Sequence, residues 1–395
     1  MNWTAKRLKY TARVDYGLGQ PPALSETGIP ILRATNVTRG KITSDGLIYA
    51  AKADLPLDRA PLLREGEILV VRSGAYTGDS ALITNAWAGS APGYDLRVTP
   101  IGAYPAYIAY CLLSKVALDQ VDLAKSRAAQ PHLNAEDLGN VTILLPSLDK
   151  QCKIADFLDA ETGRIDGLAA ARQRMRDLLL LRRERTVEQV IGLDDRPPMI
   201  PLKYVVQSVS VGIVITPANW YVDKGGVPAL RGLNVQPGRI DGSNMVEISH
   251  EGNRENLKSR LSAGDVVVVR TGQAGTAAVV PAELDGSNCI DLLIIRPGKN
   301  TDSSFLTHYL NSFYARDKIT EHSVGSIQAH FNVASMKNLD FPNIDLAEQQ
   351  RRAARLDELI DELGLLNSQL ETQLERLTER RQALITAAVT GGIAV

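Results

Sequence analysis

The chain has 395 residues, of which 44% are hydrophobic and 23% charged, so it is long enough for two or three globular domains with ordinary cores. Its 44 Lys and Arg residues against 45 Asp and Glu residues give a net charge of −1. A free-standing nucleic-acid binder would usually have a basic excess. A DNA-binding protein with this balance would need partner subunits to supply much of the phosphate neutralisation.

The amino-terminal residues and the cysteines indicate the compartment. Residues 1–17 contain basic side chains but no apolar core of signal-peptide length, and no membrane span is visible, so we expect a cytoplasmic protein. Cys111, Cys152 and Cys289 are odd in number and include no CxxC pair. This pattern argues against a disulfide framework or a structural zinc site and favours buried, unpaired cysteines.

The first half of the chain changes character near residue 146. Residues 1–146 contain short β-rich runs, such as 67–72, separated by Gly, Pro, Asn and Asp. Pro146 precedes a helical stretch within residues 147–196, because a proline suits the start of a helix but not its interior. The stretch 194–201 is rich in Asp and Pro and is predicted to be a linker.

The second half follows the same order. Residues 197–342 are again β-rich, with runs at 266–270 and 292–296, and residues 343–395 are helical. The predicted fold class is therefore α+β, with two tandem-duplicated mixed α/β domains separated by two long helices.

Apolar residues at heptad spacing indicate that the two helices pair. In the last helix, one leucine recurs every seven residues, at Leu356, Leu363, Leu370, Leu377 and Leu384. The earlier helix has a similar apolar series, at Leu158, Ile165, Leu168, Met175 and Leu179. About 40 residues at 1.5 Å each span roughly 60 Å. We expect an antiparallel coiled coil between these helices.

An internal repeat relates the two halves. The segment from Gly66 to Gly74 reads GEILVVRSG, and the segment from Gly264 to Gly272 reads GDVVVVRTG. The offset between them, 264 − 66 = 198 residues, also relates two further pairs of motifs. These are Pro-x-Leu-Arg-x-x-Asn-Val from Pro30 and Pro228, and Gln-x-His-hydrophobic-Asn from Gln130 and Gln328. Two long copies indicate a pair of domains and not a solenoid.

Motifs for catalysis are absent from the sequence. It has no Gly-Lys-Ser or Gly-Lys-Thr of a P-loop, and Gly17-Leu18-Gly19 lacks the third glycine of a dinucleotide fingerprint. It also has no acid-x-Lys triplet of metal-dependent nucleases and no Asn-Pro-Pro-Tyr or Asp-Pro-Pro-Tyr segment of amino-methyltransferases. We therefore expect a protein that is not an enzyme and that binds no cofactor or metal.

The repeated motifs resemble those of a known family. Pro-x-Leu-Arg-x-x-Asn-Val, followed by Gly-Asp/Glu, a hydrophobic run and Arg-Ser/Thr-Gly, resembles the target-recognition domain of type I restriction-modification specificity subunits. The passage from Gln-x-His-hydrophobic-Asn into the helix at Ile154-Ala155-Asp156 is also similar to that family. The second helix departs from it, with Ala353-Ala354-Arg355 at the corresponding place.

This resemblance implies a non-catalytic DNA reader with two recognition domains. The implied boundaries are 1–146 and 197–342 for the recognition domains, and 147–196 and 343–395 for the conserved helical regions. The implied partners are double-stranded DNA, two modification (methyltransferase) subunits and ATP-dependent restriction (endonuclease) subunits. S-adenosylmethionine, ATP and magnesium would belong to those partners.

Candidate DNA contacts come first from the repeated strand ends, where Gly-rich loops present side chains from a rigid scaffold. The candidates in these loops are Arg72, Tyr76, Thr77, Arg270, Thr271 and Gln273. A second set lies in the repeated Arg-x-x-Asn motif, where arginine can bind phosphate or guanine and asparagine can bind adenine or form a turn. This set comprises Arg33, Asn36, Arg231 and Asn234.

A third set precedes the Gln-x-His motifs. Lys, Arg, Ser and Gln side chains there can hydrogen-bond phosphates or base edges, although the stretch could equally be a solvated loop. The candidates are Lys125, Arg127, Ser326 and Gln328. His132 and His330 are interpreted as buried or capping residues, because neither has a Cys or acidic neighbour at metal-ligand spacing.

Two alternatives to a DNA-reading subunit remain at this point. The chain could be a protein-interaction scaffold whose β-rich domains are carried on a coiled coil without DNA specificity. It could also be a fused restriction-methylation enzyme, which the missing cofactor and metal motifs disfavour. Sequence-specific DNA binding by the purified complex would distinguish the DNA reader from the scaffold.

Overall fold

The computed structural model describes residues 3–125, 132–321 and 331–395. The chain divides into two compact units, each built around one copy of the repeat. The first comprises Met1–Gln173 with Glu371–Val395, and the second comprises Arg174–Leu370. The first unit is therefore assembled from two separate stretches of chain, whereas the second is continuous.

Within its described residues, the first unit contains ten strands. They are β1 (Thr4–Arg7), β2 (Ala12–Tyr16), β3 (Ile29–Ile31), β4 (Val37–Thr38), β5 (Lys41–Ile42), β6 (Ile48–Ala50), β7 (Ile68–Val70), β8 (Ser80–Leu82), β9 (Leu96–Pro100) and β10 (Thr142–Leu145). The main sheet has the order β2-β9-β7-β8 and is antiparallel throughout. Smaller antiparallel pairs join β1 with β10, β3 with β6 and β4 with β5. The predicted run at 67–72 is confirmed as a strand, β7.

Both faces of this sheet are buried, because successive side chains of a strand point to opposite sides. On one side Ile68 and Val70 pack in a core with three short helices, α1 (Pro105–Leu113), α2 (Lys115–Lys125) and α3 (Ala135–Gly139). On the other side Leu69 and Val71 pack in a separate cluster with Leu32.

The second unit repeats this architecture, with twelve strands in residues 174–321 and 331–370. They are β11 (Met199–Pro201), β12 (Val206–Val211), β13 (Tyr221–Val222), β14 (Val227–Leu230), β15 (Val235–Gln236), β16 (Arg239–Ile240), β17 (Val246–Ile248), β18 (Val266–Val269), β19 (Ala277–Val279), β20 (Asn288–Cys289), β21 (Leu292–Pro297) and β22 (Asp340–Pro342). Its main sheet has the order β12-β21-β18-β19, which corresponds strand for strand to that of the first unit. The expectation of two duplicated mixed domains is confirmed.

The described part of the second unit also contains four short helices. They are α5 (His250–Glu255), α6 (Ser303–Asn311), α7 (Phe313–Glu321) and α8 (Val333–Lys337). Phe305 and Tyr309 of α6 pack edge-on against Phe341 at ring-centroid distances of 5.9 and 5.3 Å. This aromatic group lies in one core with Val266 and Val268 of the sheet.

Two long helices contribute to both units. The first is the 44-residue helix between the two domains, Leu148–Ile191, and the second is the 45-residue helix Leu346–Thr390. We number the domain-linking helix α4 and the later one α9. Within the second unit, Arg352 donates to the carbonyl oxygen of Ile191, and Arg176 Nε donates to Asn367 Oδ1 at 3.2 Å. Later residues of α4 thus meet earlier residues of α9, so the helices run antiparallel as predicted.

The apolar residues at heptad spacing, which we call the heptad seam, are buried only in part. Leu158, Leu356 and Leu370 are buried, but Leu168 and Met175 are each 52% exposed. Leu366 is also exposed, at 41%. Arg176 and Asn367 place a polar contact among these turns of the helix pair, which explains why apolar side chains do not close the seam there. The prediction that the heptad apolar residues form a continuous core is therefore wrong for the middle of the helices.

A buried glutamine near the start of each long helix explains one repeated motif position. Gln151 accepts from the backbone N–H of Tyr104 and donates to the carbonyl of Pro146, both at 2.9 Å. Gln349 accepts from Asp302 N at 3.0 Å and donates to the carbonyl of Ile344 at 2.9 Å. Each glutamine thus joins the long helix to the start of the helical layer in its own unit.

The asparagine that ends each Gln-x-His-hydrophobic-Asn motif caps a short helix. Asn134 Oδ1 accepts from Asp137 N at 2.7 Å, and Asn332 Oδ1 accepts from Ser335 N at 2.9 Å.

We expect Asn134→Ala to lower the free energy of unfolding by about 1 kcal/mol, because the cap of α3 is lost. Asn134→Asp should be close to neutral, since a carboxylate also caps. Denaturant titration of both variants checks this, and equal losses would contradict the capping role.

No helix in the described ranges is long and apolar enough to cross a membrane.

Candidate nucleic-acid interface

The loop between β7 and β8 is a compact Gly-rich turn at one end of the main sheet. Gly78 N donates to the carbonyl of Val71, and Val71 N donates to the carbonyl of Asp79, each at 2.8 Å. Gly74 and Gly78 have φ of +86° and +99°, which favours glycine at both positions. A Cβ on Gly78 would also lie 3.1 Å from the side chain of Val121. The loop is therefore closed by its own backbone, and Ala75 and Tyr76 at its tip are exposed.

Arg72, two residues after the end of β7, lies over two tyrosine rings. Its guanidinium carbon is 4.9 Å from the ring centroid of Tyr16 and 4.5 Å from that of Tyr94. The two tyrosines are 47% and 49% exposed. Tyr16 ends β2, and Tyr94 lies two residues before β9. Because β2, β9 and β7 are neighbours in the sheet, the three side chains meet at one edge.

Asp95 anchors the backbone beneath this group. Its Oδ1 accepts from Arg72 N at 3.2 Å, while the carbonyl of Arg72 accepts from Leu133 N at 2.8 Å. Asp95 is only 2% exposed. Burial raises the pKa of its carboxyl group to about 6, although the N–H and the charge of Arg72 act in the opposite direction.

Tyr76, Thr77 and Lys125 occupy different places around the loop. Tyr76 is 50% exposed near its tip. Thr77 is buried, and its hydroxyl donates to the carbonyl of Gly74 at 2.7 Å. Lys125 donates to the carbonyl of Thr77 at 3.3 Å and pairs with Asp122 at 2.6 Å. Thr77 and Lys125 thus hold the loop, whereas the Tyr76 ring is exposed.

The corresponding loop of the second unit has a different charge arrangement. Arg270 Nη1 pairs with Asp291 Oδ1 at 2.6 Å, and Arg270 Nε donates to the carbonyl of Phe331 at 3.3 Å. Thr271 and Gln273 follow and are exposed. Thr271 Oγ1 lies 3.5 Å from Asp291 Oδ2. Arg270 is therefore engaged by protein groups, and the exposed polar side chains of this loop are Thr271 and Gln273.

The repeated Arg-x-x-Asn motif forms a hydrogen-bonded turn in both units. Asn36 is fully buried; it accepts from Arg33 N at 3.1 Å and donates to the carbonyls of Thr43 and Asp45. Arg33 Nη2 donates to the carbonyl of Gly46 at 2.5 Å.

The second copy of this turn has the same bonds. Asn234 accepts from Arg231 N at 3.0 Å and donates to the carbonyls of Asp241 and Ser243. Arg231 Nη2 donates to the carbonyl of Asn244 at 2.8 Å. In both units the asparagine therefore holds the turn, and its Oδ1 and Nδ2 atoms are both hydrogen-bonded within it.

Three candidates lie outside the described residues: Arg127, Ser326 and Gln328. His330 lies there as well, while His132 is exposed and forms a backbone bridge with Ser73. Of the two interpretations of His132, buried or capping, the buried one is therefore wrong. In the described ranges, no group of three or more His, Cys, Asp or Glu side chains could hold a metal ion.

Sequence reasoning missed Tyr16, Tyr94 and Asp291, which border the two loops. They lie far from Arg72 and Arg270 in sequence and reach them only through the strand order of the sheet. The strand register relates them: Leu96 pairs with Val70 and Leu293 pairs with Val268, so Tyr94 and Asp291 occupy equivalent positions. The offset there is 291 − 94 = 197 residues, one less than the offset of the repeated motifs, so the motif offset alone does not align them.

Two copies of one β-rich domain, each with a Gly-rich loop at the same sheet edge and each followed by a long helix, define a tandem recognition protein. Residues 24–169 and 223–376 match the model of the type I restriction modification DNA specificity domain, and the chain belongs to this family. The family resemblance of the repeated motifs is thus confirmed.

Individual relatives are more distant. The specificity subunit of type I restriction enzyme StySPI from Salmonella potsdam is 29% identical over 180 residues, which cover 43% of this chain and 37% of that protein. The specificity subunit of EcoKI from Escherichia coli strain K12 is 28% identical over 180 residues, with the same coverage of 43% and 37%. The chain thus aligns with little more than a third of the length of these relatives.

Solved structures agree with the fold over nearly the whole chain. A chain from a study of complex assembly and conformational transition of the type I R-M system matches with a TM-score of 0.75 and 18% identity, covering 99% of this chain and 98% of that one. The HsdS subunit from Thermoanaerobacter tengcongensis matches with a TM-score of 0.52 and 18% identity, covering 99% and 97%.

Proposed function

We propose that this chain is the sequence-specific DNA-recognition subunit of a type I restriction-modification complex, and that each repeat reads one half of a bipartite DNA site. The observation that carries the proposal is the duplicated loop. In each unit this loop presents side chains from the same edge of that unit's own four-stranded main sheet. Loops held on a rigid scaffold suit base recognition, because their side chains can reach a groove while the sheet fixes their position.

The proposed base-reading residues are the exposed or accessible side chains of the two loops: Arg72, Tyr76, Thr271 and Gln273. Arg270 and Thr77 support these loops through their bonds to Asp291 and Gly74. Arg127, Ser326 and Gln328 remain proposed contacts on chemical grounds, and Lys125 is proposed to contribute charge beside the first loop. Arg33, Asn36, Arg231 and Asn234 are proposed to act through the turns that they hold.

The proposed partners are double-stranded DNA, two modification subunits and the ATP-dependent restriction subunits. The exposed apolar side chains of the long helices support a role in docking, since Met175, Leu178, Leu181 and Leu365 are each at least half exposed. Partner subunits would also supply the basic charge that this chain lacks, together with S-adenosylmethionine, ATP and magnesium. The chain itself is proposed to be non-catalytic and cytoplasmic.

The proposed division of the chain keeps the recognition domains at 1–146 and 197–342 and the conserved helical regions at 147–196 and 343–395. With one reader in each repeat, half-sites about one helical turn apart, roughly 34 Å, are expected.

Exchanging loop residues for alanine tests the division of the DNA site between the repeats. A variant with Arg270, Thr271 and Gln273 changed to alanine should relax one half of the methylated motif, because a good side-chain-to-base pair discriminates by about 1 to 3 kcal/mol. The matched variant with Arg72, Ser73 and Tyr76 changed to alanine should relax the other half. Methylome sequencing of cells that express each variant with the modification subunit provides the measurement.

Two results would refute the proposal. A wild-type complex that methylates without a bipartite motif would exclude sequence reading by this chain. Variants that alter both halves equally would exclude one reader in each repeat.

A further inference from the structure

The guanidinium of Arg72 is held without using its hydrogen-bond donors. Both tyrosine rings contact it through their faces, and its side chain makes no hydrogen bond or ion pair within the described ranges. Its Nε is buried and makes no hydrogen bond in these ranges. Its two Nη atoms make none there either, but they are not buried. Cation–π contact fixes the plane of a guanidinium but leaves its in-plane N–H groups free.

The two rings are themselves fixed in place. The hydroxyl of Tyr16 accepts from Ala135 N at 3.2 Å, at the start of α3. Tyr94 lies between Gly93 and Asp95. Gly93 has a φ of +57°, and a Cβ there would meet the carbonyl oxygen of Leu32 at 2.1 Å. Asp95 holds the backbone N–H of Arg72. The arginine and both rings therefore have preset positions before any ligand binds.

The matched arginine of the second unit is held in the opposite way. The ion pair with Asp291 and the bond to Phe331 occupy Nη1 and Nε of Arg270, and its side chain is only 16% exposed. By strand register, the positions that correspond to Tyr16 and Tyr94 are Val211, which ends β12, and Asp291 itself. Neither provides an aromatic face, and the carboxylate at the second position binds the guanidinium that a ring contacts in the first unit.

We propose that Arg72 reads a guanine in the half-site of the first repeat, and that Tyr16 and Tyr94 are positioning residues for this contact. A planar guanidinium with free Nη groups matches the O6 and N7 acceptors of guanine, the commonest specific arginine contact in the major groove. The second repeat lacks this reader, since Arg270 is occupied by Asp291. This inference rests on the proposed function and adds to it the base that one residue recognises.

Binding of duplexes to the complex of this chain with its modification subunit tests the guanine contact. The duplexes carry the methylated motif, with 7-deazaguanine replacing each guanine of the first half-site in turn. The wild-type complex should lose affinity about five- to hundredfold at one position, because N7 is removed there. Arg72→Lys should abolish this sensitivity, since an ammonium lacks the planar fork.

The tyrosines are tested by paired variants. Tyr16→Leu with Tyr94→Leu should reduce discrimination at the same guanine, whereas Tyr16→Phe with Tyr94→Phe should keep it, because the ring faces remain. Equal thermal stability of the two double variants would exclude misfolding as the cause. If both double variants discriminate like the wild type, the tyrosines do not position Arg72.

Other outcomes overturn the guanine contact. A first half-site without a G·C pair, or undiminished 7-deazaguanine sensitivity in Arg72→Lys, would do so. If Arg72→Ala weakens binding to all duplexes equally and lowers the salt dependence, Arg72 contacts phosphate and not a base. If the complex still methylates a bipartite motif in each of these cases, the proposed function stands and only the guanine contact is refuted. If the wild-type complex has no bipartite motif, both the proposed function and the guanine contact are refuted.

Discussion

Replacing Leu356 with alanine is expected to lower the free energy of unfolding of the second unit by about 2 to 5 kcal/mol. Leu356 is fully buried in one cluster with Ile191 of α4, Leu202 and Phe341. Removing its side chain creates a cavity at the point where both long helices meet the recognition domain. Because domains are stable by only about 5 to 15 kcal/mol, this loss should be visible as a large shift in urea denaturation.

Leu365 of the same helix provides the matched control. It is 67% exposed, so Leu365→Ala should change stability by no more than about 0.5 kcal/mol. Equal losses for Leu356→Ala and Leu365→Ala would show that helix propensity and not core packing determines the effect.

Replacing Asp95 with asparagine is expected to stabilise the protein above pH 6 and to remove part of its pH dependence. The pKa of Asp95 is raised by burial to about 6, above its ordinary value of 3.8. Between these values the folded state binds more protons than the unfolded state, so stability falls as pH rises through this window. The full difference corresponds to about 3 kcal/mol, lost above pH 6.

An asparagine carries no charge in either state and can still accept the N–H of Arg72 through its Oδ1. Denaturant titrations of the wild type and Asp95→Asn at intervals from pH 4 to pH 8 provide the measurement. Asp58→Asn, a change at an exposed turn residue, serves as the control and should preserve the wild-type slope. An Asp95→Asn variant with the wild-type slope would contradict the predicted protonation of Asp95.

Much of the fold could be predicted because its signals are local. The strand at Val266–Val269 follows from four consecutive valines, and the start of α4 follows from Pro146. The repeat identified Asn36 and Asn234 as equivalent, and their bonds show why: each closes the same turn with its buried amide. Duplication therefore predicted shared structure more surely than it predicted shared contacts with DNA.

The surroundings of the two loop arginines could not be predicted in this way. Arg72 and Arg270 occupy equivalent positions after equivalent strands, yet one lies over Tyr16 and Tyr94 and the other pairs with Asp291. These neighbours come from other strands, and their distances depend on sheet order and on the residues that follow each strand. A pattern within one strand contains no information about either.

The helix seam illustrates a second limit. Heptad spacing placed Leu168 and Met175 in the same apolar series as Leu158, although Leu158 is buried and the other two are exposed. Periodicity records which residues share a helix face, but it does not record how far apart the two helices lie at each turn. The polar contact between Arg176 and Asn367 was not apparent from leucine spacing.

The discontinuous first unit has a consequence for synthesis on the ribosome. Its core contains Ile385, Ala388 and Val389 of α9 as well as residues near the amino terminus. The second unit, Arg174–Leu370, is translated between these two parts. At about 5 to 20 residues per second, this interval lasts roughly 10 to 40 s. The later unit thus has all its residues first, and the apolar surface of the earlier one stays uncovered until the last part of α9 has been made and has left the ribosome. We expect chaperones to bind this surface in that interval.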